Sequence, residues 1–158
     1  MTRQPTPRRP RWHPQPPRGL RPRLTREQLL DLGLAHVVNL DLIARGEAGE
    51  PMLWDYAGAV LTWSRVAVLL DRGVPEMTEQ LGLAKRLVER YGRTGRVLFD
   101  GADYQLAKAG LDVMDQLAAR VDRPTAIAAA NWSEGKVARM AAECRATPRG
   151  EHSEAIAT

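Results

Sequence analysis

From Thr25 to Arg145, apolar side chains recur at three- and four-residue spacing, and glycine and proline cut the run into about five segments. The first opens at Thr25-Arg26-Glu27-Gln28, a capping-box pattern in which hydroxyl and amide satisfy each other's orphan backbone N–H groups. Leu29, Gly33, His36, Leu40 and Ile43 form its seam, which Leu30, Leu34, Val37 and Val38 are expected to widen. Gly46 and Gly49 stop it.

A second segment runs from Pro51, a residue suited to a first helical turn, to Leu70. Trp54, Leu61 and Val68 make one stripe, and Tyr56, Trp63 and Leu70 make another on the opposite side. Apolar residues on both faces predict burial on both sides, so this is the expected central helix, with Trp54 and Trp63 in the core. A third segment spans Pro75 to Gly92, with Met77, Leu81, Ala84, Val88 and Tyr91 inward, and a tight turn is expected over Gly92–Arg96. Val97-Leu98-Phe99 is too short to count as a strand. Asp100 is the expected cap of a fourth helix with the seam Leu106, Gly110, Val113, Leu117 and Val121. Asp103, Lys108, Asp112 and Asp115 lie off that seam.

The fifth segment, Thr125–Arg145, places Ala126, Ala130, Val137, Met140 and Cys144 on one face. Ser133 is expected to act as an N-cap that splits it at Asn131-Trp132-Ser133. With no parallel-sheet pattern and no repeat, the predicted class is all-α. The expected organisation is a compact helical bundle over 25–145, a basic arm over 1–24 and a flexible tail over 146–158.

Charge changes this picture. The first 26 residues hold eight arginines, seven prolines and no acidic residue. Proline fixes φ and removes a donor, so the arm is expected to be extended and unable to fold alone. The rest of the chain carries fifteen basic and nineteen acidic side chains, so the basic character is local. Arginine presents a planar fork of donors suited to phosphate, and each neutralised phosphate releases counterions. The arm therefore points to nucleic acid, with Arg3, Arg8, Arg9, Arg11, Arg18, Arg21 and Arg23 as phosphate contacts and Trp12 able to stack on a base. The same composition suits a solubilising tail, a segment folded back on the acidic body, or a protein ligand through the PxxP spacings at Pro7–Pro10 and Pro14–Pro17.

A second cluster, Lys85, Arg86, Arg90, Arg93 and Arg96, is opposed only by Glu89. It is a candidate second phosphate anchor, and as a plain solvated helix face it would carry a Glu89–Arg93 pair. Trp132 fits no apolar seam and is a candidate contact residue with Lys136 and Arg139.

Two stretches resemble the helix-turn-helix pattern I-A-x-x-L-G-V-S-x-x-T-V-x-R. Met77–Arg90 matches at Leu81-Gly82-Leu83, Val88 and Arg90, but has Ala84 where a capping serine is expected. Ala126–Arg139 keeps Ser133, Val137 and Arg139, but has Ile127 where a small residue is needed.

Enzyme signatures fail. Ser133-x-x-Lys136 has no S-D-N or K-T-G following it, and Tyr104-x-x-x-Lys108 has no glycine-rich strand–helix turn. His13, His36 and His152 are scattered, which does not make a metal site, and His36 reads as a core histidine. The single Cys144 permits no intrachain disulfide. Arg8-Arg9 is not followed by an apolar run, so no secretory or twin-arginine signal is expected. Asp55 and Arg65 interrupt the longest apolar stretch, which argues against a spanning helix. The expectation is a cytoplasmic, non-enzymatic nucleic-acid-binding protein with no cofactor and no metal. The alternative is a protein-interaction module that uses the arm and the acidic face of residues 27–84, where nine acidic side chains stand against three basic ones. The sequence leaves the oligomeric state open.

Overall fold

The computed structural model describes residues 21–146 and is all-α. Its helices are α1 (Arg26–Arg45), α2 (Glu50–Leu70), α3 (Val74–Thr94), α4 (Gly101–Ala118) and α5 (Arg123–Ala146). The local signals at the helix starts act as written. The Thr25 hydroxyl accepts from the Gln28 N–H while the Gln28 side chain accepts from the Thr25 N–H. The Asp100 carboxylate accepts from the Asp103 N–H at 2.7 Å. Gly46 takes φ 72°, the left-handed conformation that lets its N–H reach back to the last turn of α1.

Short connections make α1 to α4 successive antiparallel neighbours. α1, α2, α3 and α4 close a ring in which each packs on the next and α4 returns to α1. α5 lies outside this ring, antiparallel against α2, with Gly58 facing Val137 and Thr62 facing Ser133. The central place of α2 follows from its two apolar faces. One side buries Leu53, Tyr56, Val60 and Trp63 towards the ring, and the other receives α5. Trp54 and Trp63 are both buried, and Tyr56 stands edge-on to Phe99.

Several sequence expectations are corrected. α3 does not stop at Gly92; it continues to Thr94, and Gly95 at φ 68° makes the turn. α5 is unbroken through Asn131-Trp132-Ser133. Ser133 is buried, donates back to the Ala130 carbonyl at 2.8 Å and meets the Thr62 hydroxyl, so it ties α5 to α2 and caps nothing. Both helix-turn-helix-like stretches lie inside single continuous helices and contain no turn. Asp103, placed off the seam, is buried, as is Gln80. Leu30, Leu34, Val37 and Val38, expected to widen the core seam of α1, are exposed.

His36, expected in the core, is half-buried. Its Nε2 accepts from the Trp63 indole N–H at 3.4 Å, which keeps that nitrogen unprotonated. Burial lowers its pKa below the ordinary value, and Asp115 only partly opposes the shift. The unfolded chain therefore takes up the proton first as pH falls. The stability contributed by neutral His36 is full above the ordinary imidazole pKa and is lost as pH falls through the lowered folded value. Thermal denaturation between pH 7.5 and 5 is expected to show a declining Tm, and His36→Gln is expected to flatten that decline. A parallel decline in the variant would show that other groups cause it.

Candidate nucleic-acid interface

Arg3, Arg8, Arg9, Arg11, Trp12 and Arg18 lie outside the described residues. The base of the arm is described, and it is fixed. The Arg123 N–H donates to the Pro22 carbonyl at 2.7 Å, and Arg23 pairs with Asp122 in an isolated antiparallel bridge. Arg21 lies 3.8 Å from the Asp122 carboxylate, and Leu24 packs on the core. Desolvation pushes the Asp122 carboxyl up, but the hydrogen bonds from Thr125 and the charge of Arg21 outweigh it and hold the group below its ordinary value. The arm thus leaves the body at the start of α5. Arg21 and Arg23 serve this anchor as well as carrying charge.

The Lys85–Arg96 cluster divides in two. Arg86 and Arg90 turn inward onto Asp103, at 2.9 and 3.1 Å. Arg90 also donates to the Leu98 carbonyl at 2.7 Å and reaches Asp100 at 3.4 Å. These bonds satisfy a buried carboxylate and lock α3 to α4. Lys85 pairs within its own helix with Glu89 at 3.9 Å, in place of the expected Glu89–Arg93 pair. Arg93 and Arg96 are exposed, and among the described residues neither shows an acidic partner within salt-bridge distance.

Arg90→Ala is therefore expected to cost about 2 kcal/mol of stability, because Asp103 keeps only one of its two partners. Nucleic-acid affinity should stay within about twofold. Thermal melts and binding anisotropy on the same variant check both halves. A normal melt with weakened binding would return Arg90 to the interface.

Trp132 is 40% exposed on the outer side of α5 and is flanked by two cations. The Lys136 ammonium lies 5.2 Å from the ring centroid and the Arg65 guanidinium, reaching over from α2, lies 5.6 Å from it. Arg139 stands one turn beyond Lys136 on the same side, and Glu143 ends the strip a further turn on. Sequence reasoning placed Trp132, Lys136 and Arg139 together and missed Arg65, whose only visible signal was a charge inside an apolar stretch. At the far end of α5, Cys144 lies against Gly92, which brings the end of α3 and its exposed Arg93 to the same region.

The residues of the two enzyme-like spacings each have a structural partner. The Ser133 hydroxyl is engaged with Ala130 and Thr62 while Lys136 sits on Trp132. Lys108 lies over the Tyr104 ring at 5.7 Å, a surface i, i+4 pair. Beside His36 is a hollow of about 350 Å³, lined mainly by apolar side chains including Leu24, Leu32, Trp63 and Ile127, with Asp55 its only carboxylate. Glu50 accepts from Trp54, Tyr91 and Arg145 at 3.0, 3.0 and 2.8 Å, so it joins α2, α3 and α5 as a structural hub. Those hydrogen bonds, that from Trp54 first, hold its pKa below the ordinary value. Among the described residues no helix is long and apolar enough to cross a membrane.

No protein-family model, curated protein or solved structure matches the chain.

Proposed function

We propose that this protein is a non-enzymatic nucleic-acid-binding protein in which the arginine-rich arm and an outer strip of α5 contact phosphates. The observation that carries the reading is the place of the anchor. Pro22 and Arg23 are held at Asp122 and Arg123, so the arm starts from the first turn of the helix that bears Trp132, Lys136 and Arg139. Trp132 lies about 14 Å along that helix from Arg123. The whole of α5 covers about 36 Å, close to one turn of duplex. A phosphate backbone laid along α5 would meet the arm at one end, Arg65, Lys136 and Arg139 in the middle, and the Arg93 region at the other. Arg86 and Arg90 are not part of this surface, and Lys85, Arg93 and Arg96 are its outlying members. The test is anisotropy of labelled duplex and single-stranded DNA and RNA with full-length protein across a salt series. Binding that weakens steeply with salt is expected. Absence of binding at low salt would end this reading.

The second reading, a protein-interaction module, is favoured by one observation, the exposed apolar stripe along α1.

A further inference from the structure

Between α1, α2 and α5 lies the hollow of about 350 Å³ that the candidate interface does not use. Its walls are mainly apolar, with Leu24 and Leu32 on one side, Ala126 and Ile127 on the other, and Trp63 between them from α2. Leu32 is 37% exposed and Ile127 49%, so among the described residues nothing covers the rim. The Trp63 N–H and the Thr62 hydroxyl are engaged with His36 and Ser133. Asp55 is the only carboxylate in the lining, and among the described residues it has no salt-bridge partner.

The arm joins the body at this hollow. Pro22 and Arg23 are held at Arg123 and Asp122, about one helical turn before Ala126, and Leu24 is already part of the wall. The Arg23–Asp122 pairing is antiparallel, so the chain traced back from Arg23 runs the way Asp122 leads into α5. A short way upstream stands Pro14-Gln15-Pro16-Pro17-Arg18, a PxxP spacing followed by a cation. At about 3.1 Å per residue these prolines can stand about 12 to 22 Å from Arg21. Along α1, Leu32 and His36 stand about 12 and 18 Å from Leu24, so the prolines and the hollow fall within the same reach.

A polyproline segment suits such a site. Its prolines carry no N–H that an apolar wall would strand, and its restricted backbone loses little entropy on docking. Recognition of this kind uses a groove lined by aromatic and apolar side chains, which Trp63, Leu32 and Ile127 supply. The unpaired Asp55 complements an arm that holds arginines and no acidic residue. The tether supplies a local concentration of the order of millimolar, so even a weak contact is populated.

We propose that residues 14–18 dock within their own chain, with the proline rings in the hollow between α1, α2 and α5 and Arg18 towards Asp55. The contact restrains the arm. That this restraint competes with phosphate binding rests on the nucleic-acid reading, whereas the docking itself does not, and its test contains no nucleic acid.

The experiment is NMR of the full chain with labelled methyl groups. Cross-peaks are expected between the ring protons of Pro14, Pro16 and Pro17 and the methyls of Leu32 and Ile127, with intensities per molecule that do not change on dilution. Pro14→Ser, Pro16→Ser and Pro17→Ser together are expected to remove these cross-peaks and to shift both sets of methyl signals. The three positions lie outside the described body, so the variant keeps the fold that reports the loss. Asp55→Asn and Arg18→Ala are each expected to shift the same signals part of the way towards the triple variant. Absence of cross-peaks to Leu32 and Ile127 would overturn the proposal and leave the PxxP segment for another protein. Methyl signals that the triple variant does not move, or cross-peaks that fade on dilution, would overturn it as well.

Discussion

Gly110→Ala is expected to destabilise the fold by about 3 kcal/mol, because the added methyl would occupy the place of a buried amide. A β-carbon at Gly110 would stand 2.3 Å from the Gln80 amide carbon and 2.4 Å from its oxygen. Gln80 is 2% exposed, so its amide can move only by giving up its buried partners. Its Nε2 donates to the Leu106 carbonyl at 2.8 Å, and its Oε1 accepts from the Tyr56 hydroxyl at 3.4 Å. Displacing the amide would break bonds that connect α2, α3 and α4 and leave their partners dry. Alanine gains about 1 kcal/mol of helix propensity over glycine, which is too little to offset this. The expected loss corresponds to roughly 10 °C in Tm for a domain of this size. Gln80→Ala alone is also expected to destabilise, by removing the amide from its partners. The double variant should be less damaged than the sum of the two, since Gln80→Ala vacates the space that the Gly110→Ala methyl needs. Additive effects in denaturant or thermal unfolding would mean that the two side chains do not interlock.

This interlock also marks where the sequence stops being informative. The helix starts at Thr25 and Asp100 were legible because capping is local, involving residues three apart. The central role of α2 was legible because apolar residues on two opposite faces have to be covered twice. Gln80 and Asp103 were not legible. A polar residue is tolerated inside only by its partners, and those partners, Leu106, Tyr56, Arg86 and Arg90, arrive from 10 or more positions away. The same distance effect reassigned Arg86 and Arg90, which as a sequence cluster are indistinguishable from Arg93 and Arg96. Ser133 failed differently. Serine both caps helices and bonds back to a carbonyl inside them, and the alanine-rich surroundings favour continuing the helix. On α1, periodicity named the residues that share a face without saying whether another element covers it. The candidate interface was half legible: Trp132, Lys136 and Arg139 follow from helical spacing, while Arg65 enters from another helix.

Removing residues 1–20 is expected to weaken nucleic-acid binding by about a hundredfold or more at low salt and to make it less salt-dependent. That segment holds five arginines and no acidic residue. If each neutralises one phosphate of a duplex, the slope of log affinity against log salt should lose about four to five units. Arg21 and Arg23 remain in the truncated chain with the Asp122 anchor intact, so its melting curve should match that of the full chain. The residual binding should then belong to α5, and Lys136→Ala with Arg139→Ala in the truncated chain should reduce it further, with a slope change of about two. Trp132→Ala separates stacking from charge. It removes the ring between Arg65 and Lys136 without removing a phosphate contact, so affinity should fall while the slope stays constant. The informative failure is a truncated chain that binds as well as the full one. It would leave the α5 strip as the whole interface and the arm for another partner. Loss of affinity with an unchanged slope would mean that the arm acts through contacts other than phosphate pairing. A normal melt in either case would exclude unfolding as the cause.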